Sequence, residues 1–247
     1  LCAKASLRTG SGLVYNICPN SISDILQIKA VENIVLPISD DNKGCFIFKY
    51  IDEMIDKMSN LDAIAIGCGL GRNEENAKIL EIIVKNFKKP IVIDADAIFF
   101  LRNIKAEILN RNNIVITPHE VEFSRFSSYD LKNIKENRLE VVNKFFEKNL
   151  KYTLVLKGKN TIVKSDKEIY INDTGNSGMA TAGSGDCLTG IILSLLGQGL
   201  NAFNSAKLGV FTHGLAGDFA KEELGEDSLV ASDIIKFLPK AIKYIRE

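Results

Sequence analysis

The sequence predicts an α/β fold: a mostly parallel central sheet flanked by helices on both faces, closed by a hairpin and a run of C-terminal helices. Three observations carry that expectation. Four short runs, near residues 63, 91, 114 and 153, are almost continuous Ile, Val, Leu and Ala, the composition of strands buried on both faces. Stretches of helical periodicity separate most of them, so strand and helix alternate along the chain. A length of 247 residues, 46% hydrophobic and 25% charged, suits one large domain with no linker or repeat.

Each element follows in order. "LCAKASLR" reads as helix, stopped by Gly10. "LVYNIC" (13–18) and "NIVLPI" (33–38) are β-rich runs around a further helix. "AIAIGC" (63–68) precedes a strong helical pattern at 73–87, where Asn73 can cap and Glu74 and Glu75 suit the positive end. "PIVIDAD" (90–96) and "NIVITPH" (113–119) are strand-to-loop units, and the pattern at 136–149 is an amphipathic helix with Leu139, Val142 and Phe146 on one face. "YTLVLKG" (152–158) leads into a hairpin of "TIVKS" and "EIYIN", and the chain is helical from about Ser184. It opens without Met and inside a helical pattern, so we expect it to continue a longer chain.

Bulk properties exclude several function classes. Lys plus Arg and Asp plus Glu number 31 each, so the basic footprint of a nucleic-acid or membrane-surface binder is missing. The cysteines (Cys2, Cys18, Cys45, Cys68 and Cys187) are odd in number and form no C-x-x-C pair. That argues against a disulfide framework or zinc site and for a reducing cytoplasm. With His119 and His213 the only histidines, a multi-histidine metal centre is excluded, and the metal set stays unknown.

The unusual residues fall at the carboxyl ends of the expected strands, where open α/β sheets bind ligands. Gly67, Gly69 and Gly71 follow the run at 63; Asp94 and Asp96 end the one at 91; Thr117, Pro118, His119 and Glu122 follow the one at 114; Lys157 and Gly158 end the one at 153. Each has a plain reading alone: a tight turn, helix caps near Ala97, a solvated loop histidine, a charged strand end. Their joint placement favours a site. The stretch "GNSGMATAGSGD" (175–186) then runs into the apolar "CLTGIILSLLGQG". Amides at a helix N-terminus are unpaired and favour negative charge, and Gly183 and Gly185 would let a phosphate oxygen approach them. Asp186 beside such an anion hole is either a cap, worth about 1 kcal/mol, or a base on a hydroxyl that receives a phosphoryl group.

The motifs "AIAIGCGLGR", "PIVIDADAI", "NIVITPHEVEF", "LVLKGKNTIV" and "GNSGMATAGSGDCLTGII", in that order, resemble the ADP/ATP-dependent NAD(P)H-hydrate dehydratases of the ribokinase-like superfamily. "HGLAGD" (213–218) and "ASD" (231–233) fit the family's closing helices. The resemblance implies a metabolite-repair lyase: the C6 hydroxyl of the S epimer of hydrated NADH or NADPH is phosphorylated, and loss of phosphate restores the reduced nicotinamide. It implies Asp186 as the base. Lys157, Gly158, Lys159, Asn160, Thr161, Gly183, Ser184 and Gly185 would bind the nucleotide. Gly69, Gly71 and His119, with Asp186, would contact the damaged cofactor, supported by Asp94, Asp96, Glu122 and Asn176. The glycines Gly175 and Gly178 would shape the approach beside the nucleotide.

The resemblance further implies ADP (or ATP) as phosphoryl donor with Mg²⁺, a homo-oligomer of tetramer type, and pairing or fusion with an NAD(P)H-hydrate epimerase. Three departures stand out: Cys68 replaces the proline of the family's "GPGLG", Ala182 stands where glycine is usual, and the family's first strand and Gly-rich turn would precede Leu1. Two other readings remain open here: a ribokinase-like kinase of a small alcohol or vitamin precursor, and a nucleotide-binding module without catalysis.

Overall fold

The computed structural model describes residues 1–247. Eight strands are present: β1 (Tyr15–Pro19), β2 (Ile34–Ile38), β3 (Ile64–Ile66), β4 (Ile91–Ile93), β5 (Ile114–Ile116), β6 (Thr153–Leu156), β7 (Ile162–Lys164) and β8 (Ile169–Ile171). Twelve helices accompany them: α1 (Cys2–Arg8), α2 (Ser23–Lys29), α3 (Ile51–Met58), α4 (Glu75–Asn86), α5 (Asp96–Phe100), α6 (Ala106–Leu109), α7 (Glu120–Ser127), α8 (Leu131–Glu136), α9 (Arg138–Phe146), α10 (Ser184–Gly197), α11 (Ala202–Leu224) and α12 (Ala231–Arg246). Six strands form the main sheet in chain order, β3 to β8. The β3–β6 pairs are parallel, and β6–β7–β8 is antiparallel, which is the expected hairpin addition.

Strand pleat divides the core. Ile91, Ile93, Ile114, Ile116, Leu154 and Leu156 point into the larger cluster, which is roofed by α4, α7 and α9 among others. Their neighbours Val92, Val115 and Val155 face the opposite layer, where Leu188, Ile192 and Val210 of α10 and α11 cover them. Successive residues of a strand face opposite sides, so a three- or four-residue apolar run is what a sheet covered on both faces requires. A third cluster holds α1, α10, α11 and α12 together through Ala5, Ile191, Ala216 and Leu238. The contact of α1 with α10 is close enough that a Cβ at Gly190 would overlap the carbonyl oxygen of Cys2.

One feature lies outside the expected sheet, and one expectation, on α9, needs correction. β1 and β2 pair only with each other, in a separate parallel sheet. The free edges of β1 and β3 face a cavity of about 570 Å³ lined by Tyr15, Ile17, Ile64, Ile66, Met54 and Leu193 among others. On α9, the buried residues are Val141, Val142, Phe145 and Phe146, while Leu139 is 42% exposed. The apolar stripe is centred between Val141 and Val142, so Leu139 falls on its solvent margin.

The packing of α1 on α10 yields a test. Gly190→Ala is expected to destabilise the protein by roughly 1–3 kcal/mol, the usual cost of forced overpacking. Gly197→Ala, near which a Cβ meets nothing within 4 Å, is the control and should be neutral or mildly stabilising; urea denaturation of both variants measures the contrast.

Candidate active site

The site lies beyond the carboxyl ends of β3 to β6, at the N-terminus of α10. Its centre is Asp94, which directly follows β4 and is 1% exposed. Lys157, directly after β6, donates to Asp94 Oδ1 at 2.7 Å, and Thr189 of α10 donates to Asp94 Oδ2 at 2.7 Å. The Lys157 ammonium also lies 3.8 Å from Glu122 Oε2. A buried carboxylate is tolerated when it is paired and hydrogen-bonded, and Asp94 has both kinds of partner. Gly67, with φ of +128°, allows the close approach: a Cβ there would overlap the Asp94 carbonyl oxygen.

This arrangement fixes α10 against the sheet. The helix begins after Gly183, which takes φ of +86° and offers no side-chain cap. The amides of Gly185 and Asp186 have no backbone partner. The Lys157 ammonium sits 3.4 Å from where a Cβ on Gly185 would stand, so a positive side chain joins the positive end of the helix. The Asp186 carboxylate does not cap α10; it lies with Asp94 and the Cys68 thiol in a group whose ligand atoms are all within 4.8 Å of one another. Free amides, an ammonium and an unpaired carboxylate at one point can hold a phosphoryl group and the hydroxyl that receives it.

The remaining predicted residues occupy distinct places. Neither Asp94 nor Asp96 caps α5, which starts after Ala95 without a side-chain cap; Asp96 instead accepts from the Gly71 amide at 3.0 Å and from Arg72 at 3.1 Å. Gly69 faces open space, where a Cβ would meet nothing within 4 Å. His119 caps α7 through Nδ1, while Glu122 accepts from the His119 amide at 2.8 Å. Gly158, Lys159, Asn160 and Thr161 form the tight turn between β6 and β7, closed by the Thr161 hydroxyl donating to the Gly158 carbonyl at 2.8 Å. Ser184 and Asn176 border the glycine stretch, and Asn176 donates to Asp218 Oδ1 at 2.9 Å.

Three supporting residues escaped the sequence reading as site members. Thr189 looked like part of an apolar helix, although it falls one turn after Asp186. Asp218 accepts from the Gly175 amide at 2.8 Å as well as from Asn176, and so holds the glycine stretch to α11. His213 Nε2 lies 3.0 Å from the Ser184 carbonyl oxygen and 3.3 Å from its hydroxyl, bracing the first residue of α10. The spacing of "HGLAGD" was the available signal for the last two.

With this geometry in place, comparison with known proteins decides the family. The family model for NAD(P)H-hydrate dehydratase matches residues 1–240. The chain belongs to the NAD(P)H-hydrate dehydratase family. It is 35% identical over 231 residues to the ADP-dependent (S)-NAD(P)H-hydrate dehydratase of Neisseria meningitidis, covering 91% of this chain and 73% of that protein. It is 35% identical over 249 residues to the bifunctional NAD(P)H-hydrate repair enzyme of Moorella thermoacetica, covering 100% of this chain and 47% of that one. The chain thus spans about half the length of such bifunctional relatives. In fold it resembles the Bacillus subtilis ADP/ATP-dependent NAD(P)H-hydrate dehydratase, co-crystallised with ATP and Mg²⁺, at TM-score 0.78 and 22% identity over 98% of this chain and 85% of that one. The architecture is ribokinase-like.

Two outcomes are expected for this member of the dehydratase family. Asp94→Ala leaves Lys157 and Thr189 without their buried partner and should cost about 3–5 kcal/mol in urea denaturation. The pH dependence of stability should carry a His213 contribution. Burial lowers its pKa to about 4, below the unfolded value of about 6.5. The neutral ring's contribution is therefore present above pH ~6.5 and lost as pH falls towards ~4, and His213→Gln should flatten that part of the profile.

Proposed function

We propose that this chain dehydrates the S epimer of hydrated NADH or NADPH at the expense of ADP. The observation that carries this reading is the unpaired Asp186 carboxylate beside the free amides of Gly185 and Asp186, in a chain of the dehydratase family. Asp186 accepts the proton of the C6 hydroxyl as its oxygen attacks the terminal phosphorus of the nucleotide. The α10 amides and Lys157 hold the charge that develops on the phosphoryl oxygens. Phosphate is a better leaving group than hydroxide, so the C6–O bond then breaks and phosphate departs; loss of a proton from the neighbouring C5 to water then forms the C5=C6 double bond and restores the reduced ring. ADP ends as the monophosphate. Gly69, Gly71 and His119 would line the damaged cofactor, and Lys159 to Thr161, with Gly158, would line the nucleotide.

Mg²⁺ belongs to the same reading. The Asp186 carboxylate is an oxygen donor of the kind this ion takes alongside substrate phosphates, whereas the Cys68 thiol is not and the Asp94 oxygens are engaged by Lys157 and Thr189. When bound, the ion neutralises phosphate charge. A cytoplasmic, homo-oligomeric protein of tetramer type is also part of the reading. The five free thiols and the exposed apolar side chains of Ile25, Ile28 and Val31 support it, and light scattering measures the assembly. The double length of the bifunctional relatives supports fusion or pairing with an epimerase. The cavity between β1 and β3 supports a further strand, joined to this domain from outside residues 1–247, that would unite the two sheets.

The deciding assay supplies hydrated NADH, Mg²⁺ and ADP, then ATP, and follows recovery of reduced-nicotinamide absorbance. No recovery with either nucleotide contradicts the proposal, and a stable phosphorylated product points to a kinase. Asp186→Asn should keep nucleotide binding and slow turnover by ~10²–10⁴, the usual share of a general base; unchanged turnover would remove Asp186 from that role.

A further inference from the structure

The main sheet ends in an open edge at β8, its last strand. The hairpin register fixes which backbone groups of β8 are already paired. The Asn172 amide donates to the Thr161 carbonyl, and the Ser165 amide to the Glu168 carbonyl. Bonded pairs alternate along an antiparallel ladder. Tyr170, paired with Val163 midway between these two, therefore turns its amide and carbonyl to β7. Those of Ile169 and Ile171 turn outward, and no loop backbone group meets them. An open edge of this kind is a template for a further strand. On one face Ile169 and Ile171 are 43% and 46% exposed. On the other, Tyr170 borders an open cavity of about 770 Å³ with Leu208, Phe211 and Ile245. Lys167 and Asp173 flank the strand; both are exposed, and neither forms an ion pair within the chain.

We propose that the β8 edge is an interface for a second copy of this chain, which adds its own β8 antiparallel to the first. The edge is self-complementary, as a two-fold interface must be. An axis at Tyr170 sets Ile169 against the partner's Ile171, and Ile171 against the partner's Ile169. These are the residues with outward backbone groups, so each pair exchanges two bonds. Lys167 and Asp173 stand equally far from Tyr170 in the chain, and the same axis brings each Lys167 to the partner's Asp173. That match at both ends favours a second copy over an unrelated strand, because opposite charges across an interface select the partner and fix the register. The exposed isoleucines of both copies then form one apolar face. The partner's Tyr170 enters the space beside Leu208 and Phe211, and two six-stranded sheets become one. This inference rests on the homo-oligomeric reading above and does not involve the dehydratase activity.

Light scattering over a dilution series of the whole chain tests this. Ile169→Pro removes an outward amide and no bond to β7, a place where an edge strand accepts proline. It should halve the mass of the assembly and keep the circular dichroism of the parent. Lys167→Glu and Asp173→Lys each set like charges against one another at both ends, and each alone should weaken association by ~10-fold. An equimolar mixture of these two variants restores opposite charges at both ends and should recover the parental mass. Parental mass in Ile169→Pro overturns the β8 interface and assigns the assembly to another face. So does a mixture no better associated than either variant alone. A parent that is monomeric throughout the series overturns the interface and the homo-oligomeric reading together.

Discussion

The buried carboxylate of Asp94 is the constraint on which the site depends. It joins the end of β4 to the end of β6 through Lys157 and to α10 through Thr189. Added to the apolar packing of Leu188 and Ile192 on the sheet and to the His213 brace on Ser184, that join sets the N-terminus of α10 against the strand ends. With it, the amides of Gly185 and Asp186, the Lys157 ammonium and the Asp186 carboxylate converge. In the proposed reaction the two aspartates divide the work by environment. Asp94 is enclosed and fully partnered, which suits a group that must stay in place. Asp186 is partly exposed and unpartnered, which suits a group that must receive a proton.

The packing around this centre explains the glycine density. Close approach is needed on two sides: Gly67 where the β3 turn crosses the Asp94 carbonyl, and Gly190 where α1 crosses α10. In the proposed reaction the glycines of the "GSGD" stretch leave backbone amides open to a ligand. Asp218 and His213 hold that stretch from α11, one through the Gly175 amide and Asn176, the other through Ser184. A flexible sequence is thereby made rigid by neighbours remote in the chain.

Much of this was legible beforehand because local chemistry fixes it. The buried strands declared themselves as three- and four-residue Ile/Val/Leu runs, and the free amides of α10 follow from "AGSGD" preceding an apolar helix. What escaped was set by tertiary pairing. Nothing local in "CLTGII" tells that Thr189 turns towards a carboxylate on β4. Nothing in "DAD" separates Asp94, drawn into the core by Lys157, from Asp96, which stays at the rim with Gly71 and Arg72. The separation of β1–β2 from the main sheet was equally hidden, since a strand's own pattern does not name its neighbour.

The central claim is that α10 presents a transfer site, where the oxygen of the substrate hydroxyl acquires the phosphoryl group before it leaves. The most direct test places a heavy-oxygen label in the C6 hydroxyl of hydrated NADH and follows it through turnover with ADP by mass spectrometry. The account predicts that the label appears in inorganic phosphate. Label found in water instead would mean that the hydroxyl departs unphosphorylated, and would contradict it.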